Sequence, residues 1–385
     1  MSVFLDNNAT TQPLPEVIDA MADSMRTSWG NPSSGYASAD VALVRMTQAR
    51  EHVAALAGTL PENVYFTSGG TEANNLAILL GLQKQAPLRT RFVTSAIEHA
   101  SVLSMIPSLA ARGIEVVEVE SDRDGRIKIE QVYDALNERT ALVSLQWVNN
   151  ETGVVQPIEG LVERCRQVGC LFHVDAAQAL GKLPVNLGEL GADFMTFTAH
   201  KIHGPKGVGA LVYDGAAVDS PQIFGGTQEA GIRPGTQNMP GICGFGHAAK
   251  LRLERLDSVE AHCRRLRDAF EEIVGERCKE MKINGGDAPR VSNTTNMMFE
   301  GVDGIALVNR LHTWGIECSQ SSACTQARPE PSHVLTAMGL NEEEAYASIR
   351  FSFSELNSDC DVERAAKVLN DQYKSLREAT IALNC

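Results

Sequence analysis

Between residues 39 and 214, short runs of β-branched and apolar residues alternate with stretches patterned for helices. No other feature of the chain narrows its architecture so far. Strand-like runs fall at 64–67, 91–97, 114–119, 141–148, 171–174, 194–198 and 208–213. Between them, Val41, Val44, Ala49, Val53 and Leu56 mark a helical face that stops at Gly58, and residues 72–82 read as the next helix. Ile158, Leu161, Val162, Cys165 and Val168 share one side of a third. The run Ala141-Leu142-Val143-Ser144-Leu145 is almost continuously apolar, as a strand covered on both faces requires. The expected fold class is α/β, a mostly parallel central sheet flanked by helices. After about residue 255 the texture changes to a long amphipathic helix over 257–279, a strand at 296–299, a helix over 304–314, a strand at 348–353 and a C-terminal helix. That order suggests a smaller α+β domain. The expected division is a large domain at 13–256 and a small one built from 1–12 and 257–385.

Composition removes several classes of function. Of 385 residues, 34 are basic and 48 acidic, a formal net charge of -14. A broad grip on nucleic-acid phosphates or anionic lipid is therefore not expected. No apolar run approaches the roughly 18 residues of a membrane span. The start Met1-Ser2-Val3-Phe4-Leu5-Asp6 lacks the features of a secretory signal, so the expected location is cytoplasmic. Nine cysteines, none in a C-x-x-C pair, read as reduced thiols, most of them small core residues, and no metal-ligand spacing occurs.

In an open α/β sheet, ligands bind beyond the carboxyl ends of the strands. Those ends deliver Ser68-Gly69-Gly70-Thr71-Glu72, Glu98-His99, Asn149-Asn150-Glu151, Asp175 with Gln178 one turn later, and Thr198-Ala199-His200-Lys201. Free backbone N–H groups in the turn Ser68-Gly69-Gly70-Thr71 suit a phosphate, although the segment alone is equally a plain strand-to-helix turn. Asp175 alone reads better as a helix N-cap. His99 and His200 alone read better as satisfied core histidines, the commoner fate of a lone histidine. Lys201, fixed at a strand end and partly desolvated, is a candidate Schiff-base nucleophile, whereas Lys206 reads as a solvated charge. The combination discriminates. A phosphate cradle, a carboxylate for a ring nitrogen and an imine-forming lysine are what pyridoxal phosphate requires. Neither a G-x-G-x-x-G opening a βαβ unit nor a P-loop is present.

With these motifs stand Leu5-Asp6-Asn7-Asn8-Ala9-Thr10-Thr11, Gly30-Asn31-Pro32-Ser33-Ser34, His173-Val174-Asp175-Ala176-Ala177-Gln178, Arg233-Pro234-Gly235-Thr236, Ser322-Ala323-Cys324-Thr325 and Ser348-Ile349-Arg350-Phe351. Across nearly its whole length the chain resembles the pyridoxal-phosphate cysteine desulfurases of the NifS/IscS type, within the fold type I, class V aminotransferase group. The resemblance implies that Lys201 links the cofactor, Asp175 pairs with its ring nitrogen, and His99 stacks on the ring and moves protons. It implies that Gln178 and Asn150 contact ring hydroxyl or substrate, and that Gly70, Thr71, Thr198 and His200 hold the phosphate. Thr236 would reach the phosphate of a partner subunit, making the protein a homodimer with shared sites. Arg350 would grip the substrate carboxylate.

Cys324 lies in the polar stretch Ser319-Gln320-Ser321-Ser322-Ala323-Cys324-Thr325-Gln326, which reads as an exposed loop and not as core. The resemblance makes it the thiolate that takes sulfur from L-cysteine, leaving alanine, and passes it to an acceptor protein. In such enzymes that sulfur feeds iron–sulfur cluster assembly, tRNA thiolation or DNA phosphorothioation. The chain departs from the family pattern at Gly35-Tyr36, where a histidine is usual, at Thr198, where serine is usual, and at Gln326 and Arg328, where small residues are usual. Competing expectations are a selenocysteine lyase or transaminase of the same fold, and an inactive scaffold for sulfur-relay partners.

Overall fold

A computed structural model describes residues 2–215, 221–320 and 330–384. The first strand, β1 (Val3–Phe4), belongs to a peripheral pair. The next seven are β2 (Val64–Thr67), β3 (Arg91–Ser95), β4 (Glu115–Val119), β5 (Thr140–Gln146), β6 (Leu171–Asp175), β7 (Phe194–Thr198) and β8 (Gly209–Tyr213). They form one sheet in the order β2-β8-β7-β6-β5-β3-β4, parallel except for the two pairings made by β8. Each lies where the sequence pattern puts a strand, with ends differing by one or two residues.

Alternate side chains of these strands enter two apolar clusters. Phe92, Leu142, Phe194 and Leu211 pack on one face with the helix Gly70–Gln85, while Val93, Val143, Met195 and Val212 pack on the other. Both faces are thus covered, which is why the strands read as continuous apolar runs. The second face is closed by the helices Ala37–Ala57 and Met239–Arg277. These two cross closely, since a Cβ on Gly246 would stand 2.5 Å from the Ala49 Cβ. The buried stripe of Ala37–Ala57 consequently runs through Ala39, Ala42, Met46, Ala49 and Val53. Val41 and Val44, expected on the buried face, are 44% and 55% exposed. Small residues decide the contact here, and the larger valines point away from it.

The helix Met239–Arg277 starts well before the expected residue 257. Its start is marked by Asn238, whose side chain accepts the Gly241 N–H at 3.2 Å, and by Pro240 in the first turn. Strands β9 (Met281–Ile283), β10 (Thr294–Phe299) and β12 (Ser348–Ser352) form an antiparallel sheet with β10 central, and β11 (Ile316–Glu317) pairs with β1. A third apolar cluster joins them, with Leu5, Phe270, Phe299, Phe351 and Leu369 among its members. Six cysteines are buried as expected, but Cys360 is exposed on the first turn of the C-terminal helix Asp359–Asn384. Cys324 and Cys385 lie outside the described residues. Among the described residues, no helix is long and apolar enough to cross a membrane.

Candidate active site

At the carboxyl edge of the large sheet, the segments following β2, β3, β5, β6 and β7 meet β12 and the N-terminal segment around a cavity of about 350 Å³. Its walls include Gly70, Thr71, His99, Asn150, Asp175, Gln178, Thr198, His200, Lys201 and Arg350. Among the described residues, the fold therefore brings together every one that the resemblance gives a role except Thr236. Thr236 is exposed and lines a separate groove with Met25, Trp29 and Asn31. Cys324, Gln326 and Arg328 lie outside the described residues.

Lys201 ends the single turn Ala199–Lys201 that follows β7, and its Nζ donates to the carbonyls of Ala9, at 2.8 Å, and Asn8. Burial, and after it the charge of Arg350, pushes the Lys201 amine down to about 8, against the opposing pull of Asp6 and Asp175. Near neutral pH this lysine is far closer to its nucleophilic form than a surface lysine is.

Asp175, at the end of β6, is held on both oxygens. Oδ1 accepts the Ala177 N–H at 3.0 Å and Oδ2 accepts from Asn74 Nδ2 at 2.7 Å. The same Asn74 nitrogen donates to Ser101 Oγ at 2.9 Å. Ser101 in turn donates its backbone N–H to His99 Nδ1 at 3.1 Å, with its hydroxyl 2.7 Å from that nitrogen. An accepting Nδ1 puts the ring proton of neutral His99 on Nε2. Burial lowers the His99 pKa, with Asp175 opposing.

At the other end of the cavity the helix Gly70–Gln85 begins with no side chain capping its first N–H groups. Beside it Thr198 Oγ1 is buried without a hydrogen-bond partner. The turn lies against β8, where a Cβ on Gly209 would come within 2.7 Å of the Gly69 backbone. Burial holds His200 down to about 4, so it is a neutral ring here, with Nδ1 3.2 Å from Thr10 Oγ1.

Arg350 projects from β12 into the cavity. Its Nη2 donates to Asp6 Oδ1 at 2.7 Å and its Nη1 to the Asn150 carbonyl at 3.0 Å, while its buried Nε has no partner. Gln178 donates to the Asn8 carbonyl at 3.0 Å and accepts from Lys182. The sequence reading gave no role to Asn8, Asn74 or Ser101. For Asn74 a signal exists: it is a polar residue buried in the inward stripe Ala73, Leu76, Ala77 of its helix.

Residues 3–365 match the class-V aminotransferase family. The chain belongs to that family. A cysteine desulfurase of Sinorhizobium fredii (strain NBRC 101917 / NGR234) is 43% identical over 379 residues, which are 98% of this chain and 98% of the relative. A solved NifS-like protein superposes with a TM-score of 0.90 at 33% identity, covering 98% of this chain and 100% of that one. A second solved structure, SspA in complex with cysteine, gives a TM-score of 0.80 at 35% identity over 92% of this chain and 99% of that one. Class-V aminotransferases, the cysteine desulfurases among them, depend on pyridoxal phosphate.

Proposed function

We propose that this chain is a pyridoxal-phosphate-dependent cysteine desulfurase. It removes sulfur from L-cysteine, releases L-alanine and carries the sulfur as a persulfide on Cys324. The observation that carries this reading is the meeting of Lys201, Asp175 and Arg350 in one cavity, with the Lys201 amine depressed to about 8. Support comes from the curated relatives named cysteine desulfurase and from the solved neighbour that holds cysteine.

The residues fit the cofactor. Uncapped N–H groups at Gly70 and Thr71, the partnerless Thr198 hydroxyl and neutral His200 suit its phosphate. Asp175 suits its ring nitrogen, Lys201 its aldehyde carbon, and His99, Asn150 and Gln178 the remainder of the ring. When bound, pyridoxal phosphate supplies an electron sink for the substrate α-carbon.

The chain's own residues do the rest. Arg350 binds the substrate carboxylate and fixes the amino acid's direction, since each of its terminal nitrogens keeps a second N–H beyond the bonds to Asp6 and Asn150. Lys201, once free, takes the α-proton on Nζ. The Cys324 thiolate attacks the substrate sulfur, so that an S–S bond forms as the C–S bond breaks. The electron pair left on carbon is protonated and alanine leaves. An acceptor protein then takes the sulfur from Cys324. Thr236, in its groove with exposed Met25 and Trp29, serves the phosphate of a second copy, so the working form is a homodimer. The chain divides functionally into a cofactor-holding part, 13–256, and a part at 1–12 and 257–385 that brings Arg350 and Cys324.

The test is anaerobic incubation with L-cysteine and a thiol reductant, with alanine and sulfide quantified together. Equal yields that vanish in Cys324→Ser are expected. Parent-rate sulfide release from that variant would sink the assignment of Cys324, and pyruvate in place of alanine would favour a different reaction of the same fold.

A further inference from the structure

The backbone that receives the Lys201 amine is held by an unusual number of side chains. Asn8 is 2% exposed and has all its polar atoms engaged. Its carbonyl accepts from Lys201 Nζ and from Gln178 Nε2 at 3.0 Å. Its side-chain oxygen accepts from Lys182 Nζ at 2.8 Å and from Asn293 Nδ2 at 3.1 Å. Its side-chain nitrogen donates to Thr294 Oγ1 at 2.9 Å and to the Asn150 carbonyl at 3.1 Å, and its backbone N–H donates to Ser352 Oγ at 2.8 Å. The next carbonyl, of Ala9, also faces Lys201 Nζ, at 2.8 Å.

Two carbonyls converging on one nitrogen discriminate between the chemical forms of a lysine. A free ammonium has three N–H donors and satisfies both acceptors. A lysine nitrogen joined covalently to a carbonyl compound keeps at most one. The pair therefore favours the released lysine over the linked one, and the preference lasts only while Asn8 is immobile. Lys182 restrains it twice, because its amine donates to the Asn8 side-chain oxygen and also to Oε1 of Gln178, whose amide nitrogen holds the Asn8 carbonyl. Burial, followed by the charges of Lys201 and Arg350, holds the Lys182 amine well below the usual lysine range.

We propose that the carbonyls of Asn8 and Ala9 are the receptor for the free Lys201 amine, and that Lys182 is a positioning residue that holds this receptor through Asn8. The proposal rests on the reading of Lys201 as the cofactor-linking lysine. Its consequence is thermodynamic: an incoming amino acid displaces Lys201 more readily because the departing amine has a prepared place.

The test uses the full chain loaded with pyridoxal phosphate and titrated with L-alanine, which has an amine but no sulfur to transfer. Borohydride reduction followed by mass spectrometry of the Lys201 peptide reads the fraction of lysine still linked. Lys182→Met should raise the L-alanine concentration for half-release about tenfold, the worth of one weakened charge-assisted hydrogen bond. Asn293→Ala, which removes a different restraint on the same oxygen, should move it the same way by less. In both variants, linkage without L-alanine should remain complete, which a merely disordered site would not allow. Half-release within about twofold of the parent in both variants would overturn the proposal. Absence of any reducible linkage at Lys201 in the parent would overturn the underlying reading instead.

Discussion

Asn74 ties Asp175 to Ser101 through one amide nitrogen, at 2.7 Å and 2.9 Å, and Ser101 ties in His99. The Asp175 carboxylate and the His99 ring are thus linked through one buried side chain, and turning either disturbs the other. In Asn74→Leu the Asp175 Oδ2 loses its donor and Ser101 is left to rotate. The turnover number for alanine formation should fall roughly tenfold or more, with little change in KM for L-cysteine. Asn74→Asp should be worse, since it sets a second carboxylate beside Asp175. Steady-state alanine measurements on both variants check the order.

The depressed Lys201 amine gives a pH dependence with a definite sign. Only the neutral amine attacks an aldehyde, so capture of pyridoxal phosphate by the cofactor-free chain should quicken as pH rises, with a midpoint at about 8. Arg350 is the largest charge depressing that amine, so Arg350→Gln should shift the midpoint upward. Stopped-flow absorbance across pH reads both values, and a downward shift would contradict the account.

Glu98 lies behind His99, fully enclosed, with Ser95 Oγ 2.5 Å from Oε1 and the Gln146 N–H donating to Oε2 at 2.9 Å. Burial raises its pKa from 4.5 to about 8, and Asp175 adds to the rise. Between those values the folded chain binds a proton that the unfolded chain has lost, so stability falls as pH climbs through that window. Glu98→Gln keeps an acceptor for Gln146 and places an amide where the acid proton stood. Denaturant titrations should show the variant gaining on the parent by roughly 1 kcal/mol per pH unit between about pH 6 and pH 8.

Glu229 supports the approach to Thr236. It sits at φ 48°, accepts the Phe66 N–H at 2.8 Å and pairs with both terminal nitrogens of Arg50 at 2.8 and 2.9 Å. Glu229→Ala would take the carboxylate from a largely buried guanidinium, which keeps only the Val64 carbonyl and the Phe66 ring, and the acceptor from a strand N–H. The expected loss of folding stability is about 3–5 kcal/mol, measurable by guanidinium denaturation.

The large sheet was legible because each of its strands is a separate apolar run closed by a polar residue, and the polar residues at its carboxyl edge, His99, Asp175, Lys201 and their neighbours, line one cavity. Legibility failed where contact depends on what a residue lacks. Ala49 against Gly246 is invisible to hydrophobic periodicity, which favours the bulkier and exposed Val41 and Val44. It failed again at Asn8, whose importance lies in a backbone carbonyl that any residue would carry. Only the three-dimensional meeting of residues 8, 182, 201 and 293 gives that carbonyl a task.

The helix Met239–Arg277 runs unbroken for 39 residues, its first part packed with the sheet that carries Lys201 and its last part with the sheet that carries Arg350. It spans both. Sliding one sheet over the other would have to bend a continuous ladder of backbone hydrogen bonds. Any shift that carried the Arg350 guanidinium toward the Lys201 amine would therefore be written into this one helix as added curvature.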